Sequence, residues 1–359
     1  MSGQPRFFDI DERYAKLSEA GDPLERLAQV VDFEIFRHQL KAALNRSDRS
    51  KGGRPPYDPV QMFKVLVLQA LYNLSDDQAE YQIRDRLSFM RFLGLGLSDP
   101  ARDAKTIWLF RELLVRPGAM EKLFGRFEDA LRDKGYFAMG GQIVDATIVE
   151  APRQHNSDGE KADLKAGKIP AEWKDKPTKL AQKDRDARWT LKRGRKAMVR
   201  PDGAKVEELV IPSFGYKNHV ESDRRFGFIR RYIVTSAAAH DSRPFPDLLD
   251  KNNMAAAVWA DTAYRSARNE RFMERHGFVS KVHFREPKGK PLPEHHCKAN
   301  AARSKVRSAI EHIFAAEKHC FGLFVRTVGV ARATIKIGMV NLVYNFSRLA
   351  WLEQKSAPA

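Results

Sequence analysis

The chain has 359 residues, a formal net charge of +17 and 43% hydrophobic residues. That length allows two or three domains, and that apolar content excludes wholesale disorder. The charge excess points to a polyanionic partner, with nucleic acid the leading candidate.

The N-terminal stretch "MSGQPRFFDIDERYAKL" is charged throughout and has no apolar signal core. A helix is expected over Leu24–Leu44, followed by a basic Gly/Pro linker, "RSDRSKGGRPPYDP". From Pro59, "PVQMFKVLVLQALY" reads as a largely buried helix. The next is opened by Ser75 as N-cap, with Gln78 completing a capping box. "SFMRFLGL" starts a short helix at Ser88. "TIWLFRELLV" is expected to be capped by Thr106, and "MEKLFGRFEDALRDKG" to end on Gly135. Helix, tight turn, helix, short helix suits a helix-turn-helix DNA module, and equally an ordinary helical bundle.

At Gly140 the period changes from helix to strand. "QIVDATIVE" is apolar on both faces, as in a central strand. "GYKNHVESD" and "GFIRRYIVTSAAA" follow as strands joined by a turn at "DRRFG". Then come a short helix near Pro246, a buried strand "AAAVWAD", a helix "SARNERFMERHG", a strand "FVSKVHF" and a helix over "VRSAIEHIFAAEKHCF". Strands in succession followed by alternating helix and strand predict a mixed α/β (α+β) sheet with helices packed on it. Between Glu160 and Lys205 stand fifteen Lys or Arg and seven Asp or Glu with little apolar periodicity. The segment from about 155 to 205 therefore reads as a mobile basic insertion suited to holding a polyanion.

Two aspartates stand out. Asp145 lies mid-strand among apolar neighbours, and Asp261 directly follows an apolar strand. Such carboxylates are costly unless paired, protonated or bound to a cation, and two side by side need a metal or a shared proton. Glu311 could add a third oxygen from a helix laid across the sheet. Arg307, Glu311 and Lys318 fall within one sector of that helix, which alone would read as a solvated salt-bridge ladder. Three carboxylates without His or Cys favour Mg²⁺ or Mn²⁺, and two such ions about 4 Å apart can clamp an in-line phosphoryl displacement. Arg307 and Lys318 would then flank a phosphodiester substrate.

Here the sequence resembles the DDE transposases of bacterial insertion sequences, specifically the insertion-sequence-five group. The N-terminal resemblance rests on "GRPPYDPVQMFKVLVLQALYNLSDDQAEYQIRDRLSFMRFLGL". The later part rests on "DATIVEAP", "DARWTLKRGRK", "FGYKNHVESD", "TSAAAHDS", "WADTAYRS" and "RSAIEHIF", in that order. The resemblance implies that Asp145, Asp261 and Glu311 are the three catalytic, metal-holding acids of an RNase H-like domain preceded by an all-α domain. Arg307, Glu311 and Lys318 match the group's Y-x2-R-x3-E-x6-K signature, with Ser304 where its tyrosine would stand.

The implied organisation is a helical arm (1–50), a helical DNA-binding domain (51–137), the catalytic domain with its insertion (138–350) and a tail (351–359). The implied activity is cleavage at the element's ends and joining of the 3′-hydroxyls to target DNA, by a homodimer or larger assembly on double-stranded DNA. Such a protein is expected in the bacterial cytoplasm on the nucleoid. The two cysteines, Cys297 and Cys320, form no disulfide framework, and no apolar run of about 18 residues predicts a membrane span.

Further DNA contacts are expected from Trp189, Lys192, Arg193, Arg195 and Lys196. His240 and Asp241 are expected either behind the acids or as a turn cap. A zinc site among "EHHCKAN" and "KHCF" is conceivable, but the spacing fits no familiar ligand pattern. Three rivals remain: a nuclease of the same fold that cuts without joining, a catalytically dead DNA-binding regulator, and a structural RNA-binding protein. The last would leave Asp145 and Asp261 unexplained.

Overall fold

The structure, a computed structural model, describes residues 9–44, 57–195, 198–199, 205–206 and 209–356. Side chains at 193–195, 198–199, 205–206 and 209 are outside that description. The linker and Lys196 therefore lie outside the described residues, as do the side chains of Arg193 and Arg195. The chain divides into two compact units. One comprises Met1–Tyr136, His319–Gly322 and Gly338–Ala359, and the other Phe137–Lys318 and Leu323–Ile337.

Every described element before Gln142 is helical. The helix expected over Leu24–Leu44 is interrupted. It forms as Pro23–Val30, a 3-10 turn Phe33–Phe36 and Arg37–Leu44. Val31 is extended, and the Asp32 carboxylate accepts from Glu34 N at 2.9 Å, restarting the helix. The Ser75–Gln78 capping box forms as read. Thr106 is not the cap of its helix. Asp103 is, accepting from Thr106 N at 2.9 Å and from Thr106 Oγ1 at 2.6 Å. The core of this unit is aromatic: Phe346, from the helix Val330–Ser356, packs on Phe33, Phe36 and Phe127 with ring centroids 4.8–5.9 Å apart.

The second unit is built on a mixed sheet. Its strands are β1 (Gln142–Glu150), β2 (Arg188–Arg195), β3 (Met198–Val199), β4 (Lys205–Val206), β5 (Leu209–Asp223), β6 (Ile229–Ser236), β7 (Ala257–Trp259) and β8 (Val279–Ser280). The main order is β2-β5-β1-β7-β8, and β6 also pairs with β5; β3 and β4 form a separate two-stranded ladder. β5 runs antiparallel to β1, β2 and β6, whereas β7 is parallel to β1 and β8 parallel to β7. Gly215 lets β5 cross β1 closely. A Cβ there would stand 2.2 Å from the Val149 carbonyl oxygen, at a φ of +151°. One sheet face buries Val144 and Val258 against Phe245, Leu248, Tyr264 and Met273.

The described part of the basic insertion holds more regular structure than its composition suggests. It forms three short helices, Asp158–Lys165, Ala171–Lys174 and Pro177–Gln182, before β2 joins the sheet. Trp173 is fully buried and donates from Nε1 to Glu160 at 2.5 Å, and Lys179 pairs with the same carboxylate at 3.0 Å. Asp184 accepts from Ala187 N at 2.9 Å and from the Tyr216 hydroxyl at 2.6 Å, tying the end of the insertion to β5. One buried indole and a few buried carboxylate contacts do the ordering, which a search for apolar periodicity overlooks.

Candidate active site

Asp145 sits on β1, and by strand alternation points to the face opposite Val144. β1 pairs in parallel with β7, Gln142 beside Val258 and Ile143 beside Trp259. Asp145 and Asp261 each stand two residues past the last pair of that ladder, near enough for the charge of one to act on the other. Asp261, two residues past the end of β7, caps a 3-10 turn, its carboxylate accepting from Ala263 N at 2.8 Å.

The helix expected over Val306–Phe321 is broken: Arg307 ends a helix Glu294–Arg307, a second piece Ala309–Ala315 follows, and then a π-helical turn Ala316–Cys320. Arg307 ends the first piece and reaches the sheet. Its Nη1 donates to Asp145 Oδ2, and its Nη2 to Glu311 Oε1 at 3.2 Å. Its Nε is buried with no acceptor. The guanidinium thus bridges Asp145 and Glu311. Glu311 itself is 61% exposed.

Burial pushes the Asp145 carboxyl up to about 6 and the neighbouring charge of Asp261 adds to this, while Arg307 and the Ala146 N–H oppose it. Tyr264 lies in the same field, fully buried. Its hydroxyl has no partner, and burial together with Asp145, Asp241 and Asp261 raises its pKa well above the usual value.

Two family models match the chain. The model described as Transposase domain (DUF772) matches residues 11–113, and that described as Transposase DDE domain matches residues 136–346, more than half the chain. The chain belongs to the transposase DDE domain family. No solved structure matches it. Membership makes it a DNA-processing transposase of a family that generally uses divalent metal ions. No described helix is long and apolar enough to cross a membrane.

The transposase's residues fit a hard divalent cation in their chemistry. Asp145, Asp261 and Glu311 offer only oxygen atoms, and burial of the Asp145 carboxyl outweighs the charge of Arg307. Among the described residues no three carboxylate, His or Cys groups converge on one point. The Arg307 guanidinium, between Asp145 and Glu311, supplies positive charge there instead. The same absence covers zinc: Cys297 and Cys320 are free and exposed, and His296 stacks on Phe284.

Lys318 lies close enough to Lys192 for the two like charges to interact; burial first, then Lys192, lowers its pKa. Trp189, 39% exposed, leans on Phe214 with centroids 5.4 Å apart. Neither His240 nor Asp241 touches the acids. His240 Nδ1 accepts from Ser242 N at 3.2 Å, capping its own turn, and Asp241 accepts from Lys217 at 2.7 Å.

Three groups escaped the sequence reading. His219 is buried beside Asp241, and burial lowers its pKa to about 4. His283 contacts the Ser304 hydroxyl at 3.3 Å. Glu317 is fully buried, and Asn218 donates to both its oxygens at 3.2 and 3.3 Å. Polar residues on successive β5 positions in "YKNHVESD" were the available signal for His219 and Asn218.

Proposed function

We propose that this transposase belongs to the insertion-sequence-five group, and that it cuts DNA at the ends of its element and joins the freed 3′-hydroxyls to target DNA. Asp145 and Asp261, at an RNase H-like sheet, and Glu311, from a helix beside it, are its catalytic acids. The observation that supports this reading is the parallel β1–β7 pairing two residues before Asp145 and Asp261, with Arg307 linking Asp145 to Glu311. The strand order, antiparallel on one side of β1 and parallel on the other, supports the fold assignment.

Asp145 and Asp261, with Glu311, would hold one or two Mg²⁺ or Mn²⁺ ions. Those ions would supply Lewis acidity at the phosphodiester and acidify the nucleophile. In the first displacement, water adds to phosphorus and the 3′ oxygen leaves as a hydroxyl; in the second, that hydroxyl adds to a target phosphorus and displaces the target's 3′ oxygen. The chain's own part is positioning and charge. Arg307 is aligned to move from carboxylate to phosphate oxygens, because both accept the same planar fork of donors. Lys192 and Lys318 offer paired cations to the DNA backbone, and Trp189, Arg193, Arg195 and Lys196 are proposed to add further contacts. The helical N-terminal unit binds the element's ends, and two copies handle two ends. A protein of this kind works on the nucleoid.

The test is incubation of purified protein with labelled DNA carrying the element's ends, a supercoiled target and Mg²⁺, beside Asp261→Ala. Label joined to target by the wild type alone supports strand transfer. Cleavage without joining would favour a nuclease. Binding with no metal-dependent product from either protein would overturn the enzymatic reading and leave a DNA-binding regulator.

A further inference from the structure

Beside Asp261 lies a second cluster of cations that the three acids do not account for. The chain after β8 keeps pairing with β7. Lys281 N donates to Val258 O at 2.8 Å and His283 N to Ala260 O at 3.0 Å, so Val282–Phe284 runs alongside the residue preceding Asp261. Two arginines from different elements converge there. Arg265, four residues past Asp261, donates from Nη2 to the Val282 carbonyl at 2.6 Å and from Nε to the His283 carbonyl at 2.8 Å. Arg303, one helical turn before Arg307, donates from Nη1 to the same Val282 carbonyl, also at 2.6 Å. Both guanidiniums also lie against the Phe284 ring, 4.7 and 4.3 Å from its centroid, and His296 stacks on that ring at 3.8 Å.

Holding one carbonyl needs one donor. Two guanidiniums brought within two hydrogen-bond lengths of each other repel, and among the described residues the carboxylate that answers them is Glu270, 3.7 Å from Arg265. Both are part-exposed and carry donors beyond those spent on the carbonyls. Like charges held together at a solvent edge, next to a carboxylate that works on phosphodiesters, are matched by an anion with several oxygens.

We propose that Arg265 and Arg303 form a DNA backbone clamp, binding the phosphate that neighbours the scissile one. The proposal rests on the transposase reading above and adds a second phosphate station, one turn along the helix from Arg307. The two arginines are positioning residues, since they reach neither Asp145 nor Asp261. Phe284 and His296 hold them in register.

The test is equilibrium binding of the full chain to a duplex carrying the element's end, across a salt series, for the wild type, Arg265→Ala, Arg303→Ala and Arg303→Lys. Losing one phosphate contact lowers the slope of log K against log salt by about 0.9. Each alanine variant is expected to show that loss, and Arg303→Lys to retain the wild-type slope. A neutral methylphosphonate at the phosphate beside the cleavage site should weaken wild-type binding more than it weakens Arg303→Ala binding, where Arg265 alone still faces that phosphate. A salt slope unchanged in both alanine variants, or an equal methylphosphonate penalty in wild type and Arg303→Ala, would show that the arginines only brace Val282–Phe284 and would overturn the clamp while the transposase reading stands. A wild type that binds no DNA would overturn both.

Discussion

Replacing Glu317 by glutamine should change how stability depends on pH. Glu317 is fully buried in the π-helical turn Ala316–Cys320, and burial raises its carboxyl to about 8 against an ordinary 4.5. Asn218 donates to it and Lys318 lies nearby, but both only partly offset the burial. The folded protein therefore keeps a proton on Glu317 that the unfolded chain releases above its ordinary value. The sign follows. The stability that goes with the raised value is fully present below pH 4.5 and is lost as pH rises towards about 8, where the folded state also ionises. At about 1.4 kcal/mol per pH unit, the window amounts to roughly 5 kcal/mol.

Glu317→Gln removes that titration and leaves an amide that can still accept from Asn218. Urea unfolding of both proteins at intervals from pH 4.5 to 9 gives the comparison. The variant should gain steadily on the wild type and the gap should level off near pH 8. Parallel curves would refute a neutral buried carboxyl at this position. The result bears on function because the Glu317–Asn218 contact pins to β5 the helical segment that presents Glu311.

Two other perturbations probe the site and its surroundings. Arg307→Ala removes the main charge that lowers the Asp145 carboxyl, so in metal-free protein Asp145 should titrate above its present value of about 6; carboxyl carbon NMR would read this, and an unchanged or lower value would mean that the bridge is not formed. Trp173→Ala empties a fully buried site and should cost the insertion about 3–5 kcal/mol locally, seen as faster proteolysis between residues 155 and 187, whereas a wild type cut there as readily as the variant would contradict the ordered insertion.

The sequence revealed the sheet wherever the residue pattern was long and two-faced. "QIVDATIVE" could only be a buried strand, so the isolation of Asp145 in it was visible at once. Asp261 was visible for the same reason, at the end of "AAAVWA". The capping box at Ser75 was legible because both halves are local. What stayed hidden depends on distant partners. Nothing near Arg307 in the chain says that Asp145, 162 residues away, is its acceptor. The convergence of Arg265 and Arg303 on one carbonyl requires knowing that Val282 lies beside Asp261. The break at Ser308 and the π-helical turn were missed because the apolar spacing of Ile310, Ile313 and Phe321 continues across them. The helix Val330–Ser356 went unread because it is apolar nearly all round and so lacks a polar face to give it a period.

Phe346 fills the aromatic core of the N-terminal helices, so the order of synthesis matters. A ribosome makes Phe33, Phe36 and Phe127 early but reaches Phe346 only near the end. At bacterial elongation rates of about 5–20 residues per second, that interval is roughly 10–40 s. Throughout it the nascent helical unit holds an unfilled apolar cleft, open to chaperones and to other nascent chains. A message truncated before Phe346 therefore yields no finished helical unit, even though every N-terminal helix has been translated. Synthesis of the helix that carries Phe346 is itself the step at which the N-terminal unit can close.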